Sequence, residues 1–174
     1  MKCFDAKMLA NGSHPSPIYV AEYCLATFDP PFEVKSEDEL DGSGTTIGSA
    51  TGVDTGRGFF ILHKRLFAGF GIEFQAFQHG PLAVETFDKS GLLQSSFESP
   101  FSGPQGVRRF TSAYLPTGVG IIGLYGSPGA IAEGHILRVC PLGSDLGPNP
   151  SFPSNQVELA RLMQQLTSKR NSSP

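Results

Sequence analysis

Between Phe59 and Glu98 the chain carries four short runs of apolar or alternating residues, each closed by turn-forming residues. They are Phe59–His63, Gly69–Phe74, Leu82–Phe87 and Leu92–Glu98. Gly, Pro and the sequence Asp88-Lys89-Ser90-Gly91 separate them. Alternation with a period of two between such breaks predicts consecutive antiparallel strands. Composition agrees. Only 17% of the residues are charged, and there are 21 Gly and 14 Pro. A helical bundle needs charged outer faces, whereas a sandwich needs many turns. The length of 174 residues suits one domain with a real core. The expectation is an all-β fold: an antiparallel β-sandwich, jelly-roll-like, with one C-terminal α-helix.

The flanks complete this outline. Residues 1–17 hold two prolines and a glycine, and they read as a flexible N-terminal arm. The sandwich domain is expected over 18–141. Its first strand begins at Ile18 and is stopped by Pro30-Pro31. Residues 29–58 form an acidic, glycine-rich loop region containing Glu37-Asp38-Glu39 and Asp41. Its glycines lack the Lys-Ser/Thr and the following helix of a phosphate loop. Arg108–Leu115 and Gly118–Tyr125 read as two strands, and Ala130–Cys140 as the last. A Pro-rich linker is expected over 142–153 and a helix over 154–168. Asn155 and Glu158 have the spacing of a capping box. Leu159, Leu162, Met163 and Leu166 form one helical face, which must dock on the sandwich or on a partner.

Composition also excludes functions. A net charge of −3 is wrong for an electrostatic nucleic-acid binder. No apolar run reaches the roughly 18 residues of a membrane span. No h-region follows Lys2, so the chain as given shows no signal peptide. The cysteines are Cys3, Cys24 and Cys140, an odd count that does not spell a disulfide scaffold. Cys24 and Cys140 lie in strand-like runs and could meet; buried free thiols are the other reading.

Matching apolar faces sets a register for the middle strands. Phe74 opposite Val84 and Ala76 opposite Leu82 leaves Gln78-His79-Gly80 as a hairpin loop. That register puts Glu73 opposite Glu85. Like charges across a strand pair are destabilising unless solvated, countered or sharing a proton or metal. The pair, with His79 in the turn and His63 nearby, is a candidate acid–base group for a small lyase, cyclase or isomerase. A wet outer face is the plain alternative. In Phe59–Phe67, Phe60, Leu62 and Leu66 share one side. Phe59, Ile61, His63 and Phe67 share the other, so the strand is buried on both faces.

The order of Thr27-Phe28-Asp29, a Gly/Asp/Thr-rich loop, Gly69-Phe70-Gly71-Ile72-Glu73-Phe74 and Val84 to Gly91 adds a pattern. It closes with a strand marked by Ile131, Gly134, Ile136 and Val139. Over about residues 27–140 this resembles jelly-roll sandwich domains of secreted bacterial surface proteins, of the type often carrying a PEP-CTERM sorting signal, and the related carbohydrate-binding modules. The chain departs from that pattern in its polar C-terminal helix. The resemblance implies a secreted module, stabilised by a calcium ion at Asp29 and Glu133. It implies a glycan or another small extracellular ligand, for which Tyr114, Tyr125, Arg108 and the acidic loop are the candidate contacts. A third reading is a structural subunit forming a homo-oligomer through its C-terminal helix.

Overall fold

The structure is a computed structural model, and it describes residues 2–10, 12–27, 32–35, 46–49, 59–76, 82–98, 108–126 and 134–172. Among these residues the strands are β1 (Phe4–Asp5), β2 (Gly12–His14), β3 (Ile18–Val20), β4 (Tyr23–Thr27), β5 (Phe32–Lys35) and β6 (Thr46–Ser49). They continue with β7 (Phe59–Ala76), β8 (Leu82–Phe87), β9 (Leu93–Glu98), β10 (Arg108–Gly126) and β11 (Gly134–Pro148). A short 3₁₀ turn spans Ala6–Met8, and helix α1 spans Gln156–Ser172. No helix is long and apolar enough to cross a membrane among the described residues.

Two long strands create two layers. β7 has 18 residues and β10 has 19, and each serves both sheets. The first part of β7 pairs with β4 on one side and with the second part of β10 on the other. β8 and β9 extend that sheet beyond β10. The later part of β7 pairs with β11 and with the first part of β10. β6, β5 and β2 extend this second sheet beyond β11. Every pairing is antiparallel. The sequence expectation split β7 and β10 each into two strands, at residues 64–68 and at Pro116-Thr117. The structure instead carries each through with local register shifts. Gly118 takes φ +101 at the β10 shift, a backbone conformation that suits glycine.

Alternation then builds two apolar layers from one strand. Ile61, Phe70, Ile72 and Phe74 of β7 face inward, with Tyr23, Leu25, Val84, Ile122, Leu124, Ile136 and Val139. This is the core between the sheets. Phe60 and Leu62 face the other way, with Cys24, Ala26, Phe87 and Ile121. Leu159, Leu162, Met163 and Leu166 of α1 cover that second cluster. The helix therefore docks on its own sandwich, and the apolar face available for assembly is occupied. Its start is capped as expected. Asn155 Oδ1 accepts from Glu158 N–H at 2.9 Å, and the Glu158 carboxylate accepts from Ser154 N–H at 2.8 Å.

Three expectations are corrected. Residues 1–17 are not a loose arm: Phe4 is fully buried, β1 pairs with β11 and β2 with β5. Cys140 is neither free nor paired with Cys24: its disulfide partner is Cys3, while Cys24 is the buried free thiol that the second reading expects. Strand β11 runs through the supposed linker to Pro148, still paired with β7. Asn149 follows it. Its Nδ2 donates to the carbonyls of His63 (2.9 Å) and Gly120 (3.2 Å), pinning β7 to β10 where both change sheets.

Candidate functional site

The outer face of the second sheet is built from the residues that alternate with its core. On β7 these are Gly69, Gly71 and Glu73; on β10, Phe110, Ser112 and Tyr114; on β11, Arg138, Cys140 and Leu142. The registers put them in rows: Tyr114 and Leu142 flank Gly69, Ser112 and Cys140 flank Gly71, and Phe110 and Arg138 flank Glu73. The central strand thus supplies two glycines over which neighbouring side chains lie, Leu142 reaching within 3.5 Å of where a Gly71 Cβ would stand. Tyr114 covers the other: a Cβ on Gly69 would stand 2.4 Å from Tyr114 Cδ1, so the ring lies over the glycine. Tyr114 is 60% exposed and Phe110 69%. They stand four residues apart on one strand face, about 13 Å along it. Two large aromatic side chains left in water on one face form an exposed apolar patch with polar neighbours, a candidate interaction surface. Arg138 Nη2 lies 3.6 Å from Glu73 Oε2, so this face ends in a charged pair. The disulfide from Cys140 to Cys3 borders it on the far side.

The expected acid–base group does not assemble. β7 and β8 are not neighbours, because β10 lies between them. Glu73 pairs in register with Phe110 and Arg138; Glu85 pairs with Gly123 and Ser96. Glu73 faces outward from the second sheet. Glu85 is buried on the first sheet, and its alternation places it on the same side as Phe87, toward α1. His63 packs between the sheets against Tyr23 and Phe67. Apolar alternation identifies which face a strand buries but not which strand lies beside it, so the hairpin register failed.

Of the other candidate contacts, Tyr114 lies on the open face. Arg108 is in register with Gln75 at the start of β10, and Tyr125 with Ala83 at its other end. His79, Asp29 and Glu133 lie outside the described residues, as does the acidic loop around Glu37. Among the described residues no group of three or more His, Cys, Asp or Glu could hold a metal ion. The alternation of Arg108–Leu115 puts Phe110 on the same face as Tyr114, as the structure has it, although Phe110 is not among the expected contacts.

A second feature lies where β7 changes sheets. A cavity of about 300 Å3 opens there beside His63. The His63 ring meets Tyr23 edge-on at 4.7 Å and Phe67 at 5.0 Å. Burial lowers its pKa, against the opposing pull of the Glu22 carboxylate. The Arg65–Asp145 ion pair lies at the rim, and it holds the Asp145 carboxyl below its ordinary range. Elsewhere, burial pushes the Cys24 thiol up to about 11, so it is an inert packed thiol.

No protein-family model matches the chain, and no curated protein does. Solved structures do share its architecture. The K2 cleaved adhesin domain of Lys-gingipain is 13% identical and covers 79% of this chain and 96% of its own, with a TM-score of 0.55. The K1 cleaved adhesin domain of the same protein, from Porphyromonas gingivalis W83, is 14% identical over 78% and 99%, with a TM-score of 0.49. A family 6 carbohydrate-binding module is 13% identical over 82% and 94%, with a TM-score of 0.47. At these identities the likeness shows the sandwich fold alone, and the overlaps below 0.5 carry no argument. Function must come from the site.

Proposed function

We propose that the protein is a non-catalytic glycan-binding module whose binding surface is the open face of β11, β7 and β10. The observation that carries this reading is the exposed pair Phe110 and Tyr114 on one strand face beside Gly69 and Gly71. Sugar rings present flat C–H faces that stack on aromatic rings, while their hydroxyls need donors and acceptors alongside. Arg138, Glu73 and Ser112 supply both kinds of group next to the rings. The spacing of the two rings leaves room for more than one sugar between them, which favours a chain over a single unit. The likeness to an adhesin domain fits a surface-binding role, and the Cys3–Cys140 disulfide fits an oxidising, extracellular setting. Calcium stays part of the reading through Asp29 and Glu133. Added calcium should then raise the unfolding temperature by several degrees over EDTA, and no shift would remove the ion from the account.

The test is a panel of soluble and insoluble polysaccharides probed with the wild-type chain and with Phe110→Ala and Tyr114→Ala. Binding to at least one glycan is expected, weakened about tenfold or more by either substitution. A panel without any binder, or a binder indifferent to both substitutions, would contradict the assignment.

A further inference from the structure

The His63 cavity is separate from the open face, and its chemistry is specific. Arg65 N–H donates to His63 Nδ1 at 2.8 Å, so the proton of the neutral ring sits on Nε2. The Glu22 carboxylate is the nearest charged group to Nε2, but its Oε2 is 3.8 Å away, beyond hydrogen-bond length. His63 is 4% exposed, and its ring is held by Tyr23 and Phe67 while Asn149 holds its carbonyl. A buried donor is thus fixed in place, lining a cavity, with no acceptor at bonding distance among the described residues. Glu22 is positioned as deliberately. Its carbonyl accepts from Lys64 N–H at 3.1 Å, and Ala21 before it takes φ +52, a left-handed conformation that non-glycine residues rarely adopt.

The donor and the acceptor together select a ligand group. An oxygen about 2.9 Å from each atom can bridge them from the cavity side, off the 3.8 Å line that joins them. It must accept from Nε2–H and donate to Oε2. A hydroxyl does both. A carboxylate cannot donate to Glu22, and an ammonium cannot accept from His63. The charges around the cavity balance: Lys2 and Arg65 against Glu22 and Asp145, with His63 neutral. The remaining wall includes Phe67, Tyr23 and Pro141, which suits the C–H face of a ring. The volume of about 300 Å3 is at the lower end for ligand pockets, enough for one ring and not for a chain.

We propose that this cavity is a second binding site, for a neutral polyhydroxylated ring such as a monosaccharide or a cyclitol, held by one hydroxyl bridging His63 Nε2 and Glu22 Oε2. It stands independently of the open face.

The experiment follows the His63 imidazole and Tyr114 signals by NMR in the full chain during titration with glucose, galactose, mannose and myo-inositol. At least one of them should shift His63 saturably, with an affinity of about millimolar. A response to the sugars alone assigns a monosaccharide, and a response to myo-inositol assigns a cyclitol. The shift should persist in the Phe110→Ala/Tyr114→Ala double variant, which separates this site from the open face. Glu22→Ala removes the acceptor from a side chain that is 58% exposed, so folding is preserved, and should weaken binding about tenfold. His63→Phe keeps the ring packing, removes the donor and should weaken binding similarly, read from the Tyr23 signals. No saturable shift at His63 with any of the four compounds would overturn the proposal. So would a response confined to Tyr114, or binding unchanged in Glu22→Ala.

Discussion

The two outer faces of this sandwich share the strands β7 and β10 and are used in opposite ways. On the first sheet, β4, β7, β8 and β10 present Cys24, Ala26, Phe60, Leu62, Phe87 and Ile121 outward, and α1 covers them. On the second sheet, the later part of β7 presents Gly69, Gly71 and Glu73, and β10 presents Phe110, Ser112 and Tyr114. That face is left open around two exposed aromatic rings. A continuous aliphatic layer has no use for water and is closed by a helix from the same chain. A face with two glycines, flanking rings and a charged pair suits a ligand that is partly apolar and partly wet. The helix is thus part of the core, and the face without one is the face proposed for recognition.

The largest effect should come from breaking the covered face. Leu166 of α1 is fully buried against the first sheet, so Leu166→Ala should cost about 2–5 kcal/mol in urea unfolding. Binding at the open face should survive wherever the variant is folded. Next is the Cys3–Cys140 bridge, which spans 137 residues and borders the open face. Cys3→Ser should cost about 2–4 kcal/mol by the same measurement, and a reductant should do likewise to the wild type. The open face should show the reverse pattern. The double variant Phe110→Ala/Tyr114→Ala should lose well over tenfold in glycan affinity while its stability stays within about 0.5 kcal/mol of wild type. A large loss of stability there would mean that the rings serve the fold. The smallest effect concerns the cavity between the faces. The folded pKa of His63 lies below its ordinary value near 6.5. In that window the unfolded chain binds a proton that the folded one refuses, so stability should fall as pH drops from about 6.5 through the folded pKa. His63→Phe should flatten that part of the Tm–pH curve.

Much of the covered face was legible in the sequence. The period-two pattern sorted Phe60 and Leu62 from Ile61, His63 and Phe67, and the structure uses that sorting on its two apolar layers. The spacing of Asn155 and Glu158 gave the helix start, because capping is local chemistry. Long-range choices were not legible. Nothing near Glu73 or Glu85 reveals that β10, more than twenty residues further along, lies between their strands. A two-residue strand such as β1 has no period to detect, so the buried Phe4 and the Cys3 partner of Cys140 were hidden. Asn149 looked like linker because its role is to satisfy two distant carbonyls. Tyr114 could be named as an exposed aromatic contact. The open face itself needed the registers that place glycines beside it.

The most direct test of the account is to map where a bound oligosaccharide perturbs backbone amide signals in the full chain. Perturbations are expected at Gly69, Gly71, Phe110, Ser112, Tyr114 and Arg138, with α1 silent. Perturbations centred on α1 or on the first sheet, with the Phe110–Tyr114 strand unmoved, would contradict it.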